Sequence, residues 1–165
     1  MKHLHVPVIA LCLFLAVQVS VAQERNFGLG VIVGEPTGVS AKLWTSPTTA
    51  VDFALGWSVR GDRIGNYNGY DDGGSRFHFH MDYLWHSFDA ISSSGGLPFL
   101  YCGMGGRINT RAGYSSSAAV RGVIGVGWVP HETPIDIFLE LVPSLQFTSS
   151  TGIGFDAGLG ARYFF

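Results

Sequence analysis

The chain has 165 residues and a formal net charge of −2, and 47% of its residues are hydrophobic. This length suits one domain, and the slightly acidic charge excludes the basic surface that nucleic-acid binding requires. The 23 glycines, together with the absence of a second long apolar run beyond the N-terminus, indicate a β-barrel rather than a bundle of spanning helices.

Residues 1–22 have the pattern of a secretory signal peptide. Lys2 precedes an apolar run, and the small residues Ser20 and Ala22 occupy the −3 and −1 positions of a cleavage site. The apolar run is shorter than the roughly 20 residues that a membrane-spanning helix needs. The sequence therefore predicts an exported protein whose mature domain covers residues 23–165.

Eight segments of the mature chain alternate between apolar residues and polar or small residues. A period of two predicts β-strands whose two faces meet different surroundings. The predicted strands are 27–33, 37–45, 49–59, 76–85, 97–107, 118–128, 134–146 and 152–165. Polar stretches rich in turn formers predict loops at 60–75 and 108–117, and a Ser/Gly connection at 86–96.

The last predicted strand, GIGFDAGLGARYFF, has one apolar face, while Asp156 and Arg162 lie on the other. It is longer than the common soluble strand of about 5–6 residues and meets the roughly 9–11 residues needed to cross lipid. Bacterial outer-membrane barrels typically end on an aromatic residue, as this chain does at Phe165. Tyr163 and Phe165 are therefore predicted to be the signal that the barrel-assembly machinery recognises.

Eight antiparallel strands in meander order close when the last strand pairs with the first, and closure is required because lipid cannot satisfy a free sheet edge. The prediction is an all-β, eight-stranded antiparallel up-and-down transmembrane β-barrel. It would lie in the lipid of the bacterial outer membrane, after secretion through the inner membrane. An even number of strands puts both termini on one side of the membrane, which resembles the bacterial arrangement with termini in the periplasm. The longer connections, which include 60–75 and 108–117, should then face outward.

The inward-facing positions of the predicted strands carry both signs of charge in similar numbers. An eight-stranded barrel has room only for side chains inside, and an unpaired buried charge costs several kcal/mol. We therefore predict an interior plug of salt bridges, without cofactor, metal or pore, in which Glu140 pairs with arginine. The predicted network consists of Lys42, Asp52, Asp82, Arg107, Arg121, Asp136, Glu140, Asp156 and Arg162. Trp44 also has the inward parity and is interpreted as a turn-end residue.

An enzymatic alternative rests on His78, His80 and Asp82, which share one strand face, with Ser40 or Ser58 as a nearby hydroxyl. Some outer-membrane barrels that acylate or deacylate lipid A use His, Ser and an acid. Such a site must meet lipid at the outer surface, however, and these histidines are predicted to point inward. The stretch HFHMDYLW also lacks the His-x-Ser-x-x-Asn pattern of the deacylases, and two histidines without further ligands are a poor zinc site.

A third hypothesis places function in the outer loops, which are rich in the Tyr and Arg residues that favour contacts. An extracellular protein or glycan is then the ligand, although solvated loops that only cover the barrel are an equal interpretation. The candidate contact residues are Arg63, Tyr67, Tyr70, Asp71, Asp72, Arg111 and Tyr114.

Four stretches carry a resemblance to a known family: GLGVIVGEPTGVSAKLW (28–44), FHFHMDYLWH (77–86), LPFLYCGMGGR (97–107) and PIDIFLELVPSL (134–145). They resemble a family of small bacterial outer-membrane barrels of unassigned function, which has a Borrelia namesake and is similar in design to the eight-stranded OmpX/OmpA-type barrel. The EPTG turn is the most specific part of the match. The resemblance implies insertion by the barrel-assembly machinery and, in pathogens, binding of host factors. It implies no catalytic residues.

Overall fold

The computed structural model describes residues 25–58, 76–91, 93, 95–110, 116–148 and 151–165, which form eight β-strands. The strands are β1 Phe27–Gly34, β2 Thr37–Trp44, β3 Thr49–Ser58, β4 Arg76–Ser87, β5 Gly96–Thr110, β6 Ser117–Pro130, β7 Ile135–Gln146 and β8 Gly152–Phe164. Within these ranges no helix is both long and apolar enough to cross a membrane. The predicted signal peptide lies outside the described residues.

Each strand pairs with its sequence neighbours in antiparallel fashion, and the sheet closes on itself where β1 meets β8. The closing seam runs from the pair Gly28 and Phe164 to the pair Gly34 and Gly158. The predicted fold class, a closed antiparallel eight-stranded barrel in meander order, is confirmed.

The stagger of the barrel follows from the strand register. Starting at Gly28 and passing through one directly paired residue on each strand, the path reaches Gly154 on β8. Gly28 itself pairs with Phe164, which lies ten residues further along β8. Because strand number and stagger together set the strand tilt, this register corresponds to a tilt of about 40°, within the usual range for barrels.

Polarity is distributed in the reverse of the pattern expected in water. Outward residues such as Phe155 and Ile124 are 65% and 63% exposed, whereas inward Lys42 and Arg121 are 0% and 1% exposed. A water-soluble protein buries its apolar side chains and solvates its charges, whereas a barrel in lipid does the opposite. The alternation seen in the sequence therefore separates an apolar exterior from a largely polar interior.

Aromatic side chains gather near both ends of this apolar exterior. At the end that holds the chain termini, the rings of Tyr163 and Phe165 lie 5.1 Å apart, and Trp85 contacts its strand neighbour Tyr83. Near the opposite end, outward Trp57 on β3 is the direct partner of Phe77 on β4. Two such girdles, one at each interface, are typical of outer-membrane barrels.

The predicted bounds of three strands, β4, β5 and β6, were wrong. The predicted loop 108–117 is too long, because β5 continues to Thr110 and β6 begins at Ser117. Asn109 and Ser117 are each 3% exposed and point into the barrel. The prediction ended the strands where polar residues began, but polar residues are ordinary on the inner face of this fold. For the same reason β4 extends to Ser87 rather than ending at Trp85.

Candidate functional site

The candidate site is the barrel interior, because polar side chains converge there from the seven strands β2 to β8. All nine residues of the predicted charge network are at least nine-tenths buried: Lys42, Asp52, Asp82, Arg107, Arg121, Asp136, Glu140, Asp156 and Arg162. Each one is placed inside by the alternation of its strand. Their pairing is decided by the stagger of the barrel, which brings residues distant in sequence to one level.

Arg162 on β8 is bound by groups from three other strands. Its guanidinium lies 2.5 Å from the Asp52 carboxylate across the barrel and 3.6 Å from Asp136 on the neighbouring strand. Its Nε donates to the Ser40 hydroxyl at 2.9 Å, and the guanidinium carbon lies 3.8 Å from the centre of the Phe138 ring. These contacts connect β8 with β2, β3 and β7, so Arg162 is a central bridge of the interior.

Arg121 on β6 binds a second pair of acids. Its Nε lies 3.0 Å from the Asp82 carboxylate, and a terminal nitrogen lies 3.6 Å from Glu140. The hydroxyl of Tyr101 donates to the second oxygen of Glu140 at 3.3 Å. Glu140 is thus held by a cation and a neutral donor, while Asp82 depends mainly on Arg121.

Lys42 on β2 is buried in a cage of aromatic rings. Its ammonium donates to Asp136 at 3.0 Å and lies 5.3–5.4 Å from the ring centres of Trp44, Phe99 and Tyr101. A desolvated ammonium over aromatic faces gains cation–π stabilisation in addition to its ion pair. Lys42 therefore joins the charged part of the interior to an aromatic part nearer the chain termini.

The aromatic part fills the barrel near the termini. His86 is its centre, with its ring 4.4 Å from Trp44, 5.5 Å from Phe99 and 5.4 Å from Tyr101. Phe88 stacks on His86 from the following connection. Trp44, the last residue of β2 as its turn-end interpretation expects, is half-buried and packs its ring against this cluster. A shallow cavity of about 370 Å³ lies at this mouth, lined by Asn26, Trp44, Thr45, Ser46, Pro47 and Phe88.

The interior near the opposite end contains an ion pair and a histidine pair. Arg107 on β5 lies 2.6 Å from Asp156 on β8, across the barrel. The ring nitrogens of His78 and His80 lie 2.9 Å apart, and His80 lies 3.8 Å from Asp82. The histidines are buried and face inward, as predicted from their parity.

Among the described residues, few groups are placed to act with these histidines in catalysis or metal binding. The hydroxyl of Ser40, considered as a neighbour of these histidines, accepts a hydrogen bond from Arg162 at 2.9 Å. The side chain of Ser58 lies outside the described part of the chain. Within that part, no group of three or more His, Cys, Asp or Glu side chains is arranged to hold a metal ion.

Sequence reasoning missed several interior residues, chiefly Phe99, Tyr101, His86 and Asn109. The inward positions of Phe99 and Tyr101 are indicated by the neighbouring strand β6, where their direct partners Gly127 and Gly125 leave room for the two rings. Large residues opposite glycines on a neighbouring strand are a detectable pattern once the register is known. The candidate loop residues Arg63, Tyr67, Tyr70, Asp71, Asp72, Arg111 and Tyr114 all lie outside the described residues.

The fold of the chain is similar to that of a solved bacterial β-barrel domain. No family model matches the chain, and no curated protein matches it. It is similar to the crystal structure of the N-terminal β-barrel domain of Pseudomonas aeruginosa OprF, with a TM-score of 0.48 and 14% sequence identity. The match covers 84% of this chain and 94% of that chain.

Proposed function

We propose that the chain is an integral β-barrel of the bacterial outer membrane, with a salt-bridged interior and a structural or surface-interaction role. The observation that carries the proposal is the reversed polarity of the closed barrel: an apolar exterior surrounds a charged interior. Only a lipid environment makes this distribution favourable over the whole circumference. Secretion by the predicted signal peptide and insertion by the assembly machinery at Tyr163 and Phe165 belong to the same proposal.

The interior ion pairs support a plug rather than a channel. Arg162, Arg121, Lys42 and Arg107 each reach an acid on a different strand. Eight strands enclose only enough space for side chains, so paired charges that cross the interior fill the space a solute would need. The aromatic cluster around His86 adds a second, apolar layer near the termini.

A surface-interaction role is proposed for the outer connections, with an extracellular protein or glycan as ligand. The support is their composition, since Tyr and Arg favour contacts, and the resemblance of the chain to small outer-membrane barrels of the Borrelia-type and OmpX/OmpA-type design. We propose no catalytic role for His78, His80 and Asp82, because the two rings contact each other and are buried in the barrel interior, away from the outer surface where lipid A would lie.

The location is tested by fractionating cells that express the full chain. We expect the protein in the outer-membrane fraction, resistant to alkaline extraction, and folded protein that migrates differently on a gel before and after boiling. Release by alkali would contradict membrane integration. Protease treatment of intact cells should cut within residues 60–75, and protection of that segment would reverse the proposed orientation.

The structural role is separated from lipid modification by mass spectrometry of lipid A from deletion and overexpression strains. We expect an unchanged acyl pattern in both strains. A changed pattern that is lost in a His80→Ala variant would replace the structural role with an enzymatic one. A variant outside the polar interior, Leu139→Ala, is the matched control for expression and folding.

A further inference from the structure

The hairpin of β1 and β2 is shorter than the rest of the barrel wall. Each of these strands has 8 residues, whereas β4 to β8 have 12 to 15. At the end that holds the chain termini, here called the lower end, β1 and β8 are level, since the Phe165 amide donates to the Phe27 carbonyl at 3.0 Å. At the opposite, upper end the two strands are not level, because β1 ends at the pair Gly34 and Gly158 while β8 extends further up to Gly152.

The difference in height is large on the scale of a membrane. With a rise of about 3.3 Å per residue and a tilt of about 40°, the part of β8 above Gly158 adds about 15 Å of height. That part presents Ile153 and Phe155, which are 57% and 65% exposed, on the outer surface. The other flank is also apolar, because exposed Trp57 on β3 is the direct partner of Thr37 at the top of β2.

The lipid-facing stretch of β1 is therefore too short for an ordinary bilayer. Its outward apolar side chains run from Phe27 to Val33, which corresponds to about 15 Å of height at the same rise and tilt. Outer-membrane barrels typically present an apolar band about 25 Å tall. The deficit of about 10 Å lies wholly at the end away from the chain termini.

We propose that the barrel thins the outer leaflet locally along β1 and β2, so that this side is a distinct lipid-contact surface. The inference rests on the proposed membrane location. A short hydrophobic stretch is accommodated either by thinning of the bilayer or by oligomerisation. Lipid is the better occupant, because the upper surface of the hairpin presents Val31, Val33 and Val39 and lacks the aromatic and Arg anchors of protein interfaces.

The turn at the top of the hairpin suits a position at the rim of a thinned leaflet. The Thr37 hydroxyl donates to the Gly34 carbonyl at 3.0 Å and accepts from the Gly34 amide at 3.1 Å. The Glu35 amide donates to the Ala157 carbonyl on β8 at 3.0 Å. These bonds satisfy backbone groups that would otherwise be costly close to hydrocarbon.

The test compares spin labels at two outward positions in the full mature protein, reconstituted in phosphatidylcholine vesicles. Val33→Cys places a label on the short side of the barrel, formed by β1 and β2. Met104→Cys places a label on β5, on the opposite side of the barrel and at a comparable height. Both are made in a Cys102→Ser background, which removes the exposed native thiol. Collision with a water-soluble nickel chelate and with oxygen then measures the depth of each label.

In dioleoyl lipid we expect the Val33 label to collide several-fold more with nickel, and less with oxygen, than the Met104 label. The difference should narrow in thin dilauroyl bilayers. Equal depths in dioleoyl lipid, or a difference that is the same in both lipids, would overturn the proposal. Efficient disulfide formation between two molecules of the Val33→Cys variant would also overturn the proposal, because it would show that a second copy of the chain covers this surface. A Met104 label exposed to water would instead refute the membrane location itself.

Discussion

Asp52 and Asp82 are direct partners on neighbouring strands, and each carboxylate is held by an arginine from elsewhere in the barrel. Arg162 on β8 binds Asp52, and Arg121 on β6 binds Asp82. Two like charges placed opposite each other on a sheet destabilise it, so this pair is tolerable only with both cations present. The four residues form one electrostatic unit that spans β3, β4, β6 and β8.

Loss of one cation from this unit is expected to be severe. Arg121→Met removes the nearest cation of Asp82 and of Glu140, leaving buried carboxylates without compensation. We expect a loss of about 3–5 kcal/mol in the free energy of unfolding, as found when one partner of a buried ion pair is removed. Urea titration in lipid vesicles, followed by tryptophan fluorescence, measures it. The variant Arg121→Met/Asp82→Asn should recover part of the loss, and a double variant worse than the single one would disprove the pairing.

Removal of the charge of Glu140 is expected to cost less. Glu140→Gln keeps an oxygen that can accept from Tyr101 and leaves Arg121 bound to Asp82. We expect a lower temperature for conversion of the folded to the unfolded band on a gel-shift heating series. The shift should be smaller than that of Arg121→Met. An unchanged conversion temperature would show that Glu140 does not stabilise the folded barrel.

The pair of Arg107 and Asp156 permits a charge-exchange test, because it joins β5 and β8 across the interior at 2.6 Å. Arg107→Asp alone should destabilise the barrel strongly by placing two buried acids together. Asp156→Arg alone should do the same with two cations. The exchanged double variant is expected to regain more than half of the loss of stability in the urea titration. Additive losses would show that the two side chains do not interact in the folded barrel.

The strands and their faces could be predicted from the sequence because both are local properties. The alternation along β8 sets Asp156 and Arg162 against an apolar face without knowledge of any other strand. The same is true of Arg121 on β6 and Asp136 on β7. A barrel in lipid strengthens this local signal, because the two faces of each strand lie in opposite environments.

Beyond the pairing of Glu140 with an arginine, the ion-pair partners could not be predicted, because they depend on the stagger of the whole barrel. The ten-residue offset between β1 and β8 brings Arg107 to Asp156 and Lys42 to Asp136, which are far apart in sequence. Aromatic residues inside the barrel were also difficult to place. Tyr101 shares the inward parity of Arg107, but the space that its ring occupies becomes evident only from Gly125 on the neighbouring strand.

Closure of the barrel is expected to depend on Gly30, which lies at the seam of β1 and β8 opposite Arg162. A Cβ at this position would meet the backbone of β8, including the Arg162 Cα at 2.6 Å. Backbone cannot move aside as a side-chain end can, so Gly30→Ala should displace β1 from the seam and cost about 1–3 kcal/mol or more.

The matched control is Gly106→Ala on the outer face of β5, where the nearest atom to an added Cβ is a backbone oxygen 3.7 Å away. We expect Gly106→Ala to fold into vesicles with the wild-type yield, whereas Gly30→Ala gives a smaller fraction of the heat-modifiable folded band. Because both changes add one methyl group to a strand glycine, the comparison isolates the seam from the general effect of replacing glycine. Equal folding of the two variants would mean that β1 and β8 do not approach each other as closely in the folded barrel as their register requires.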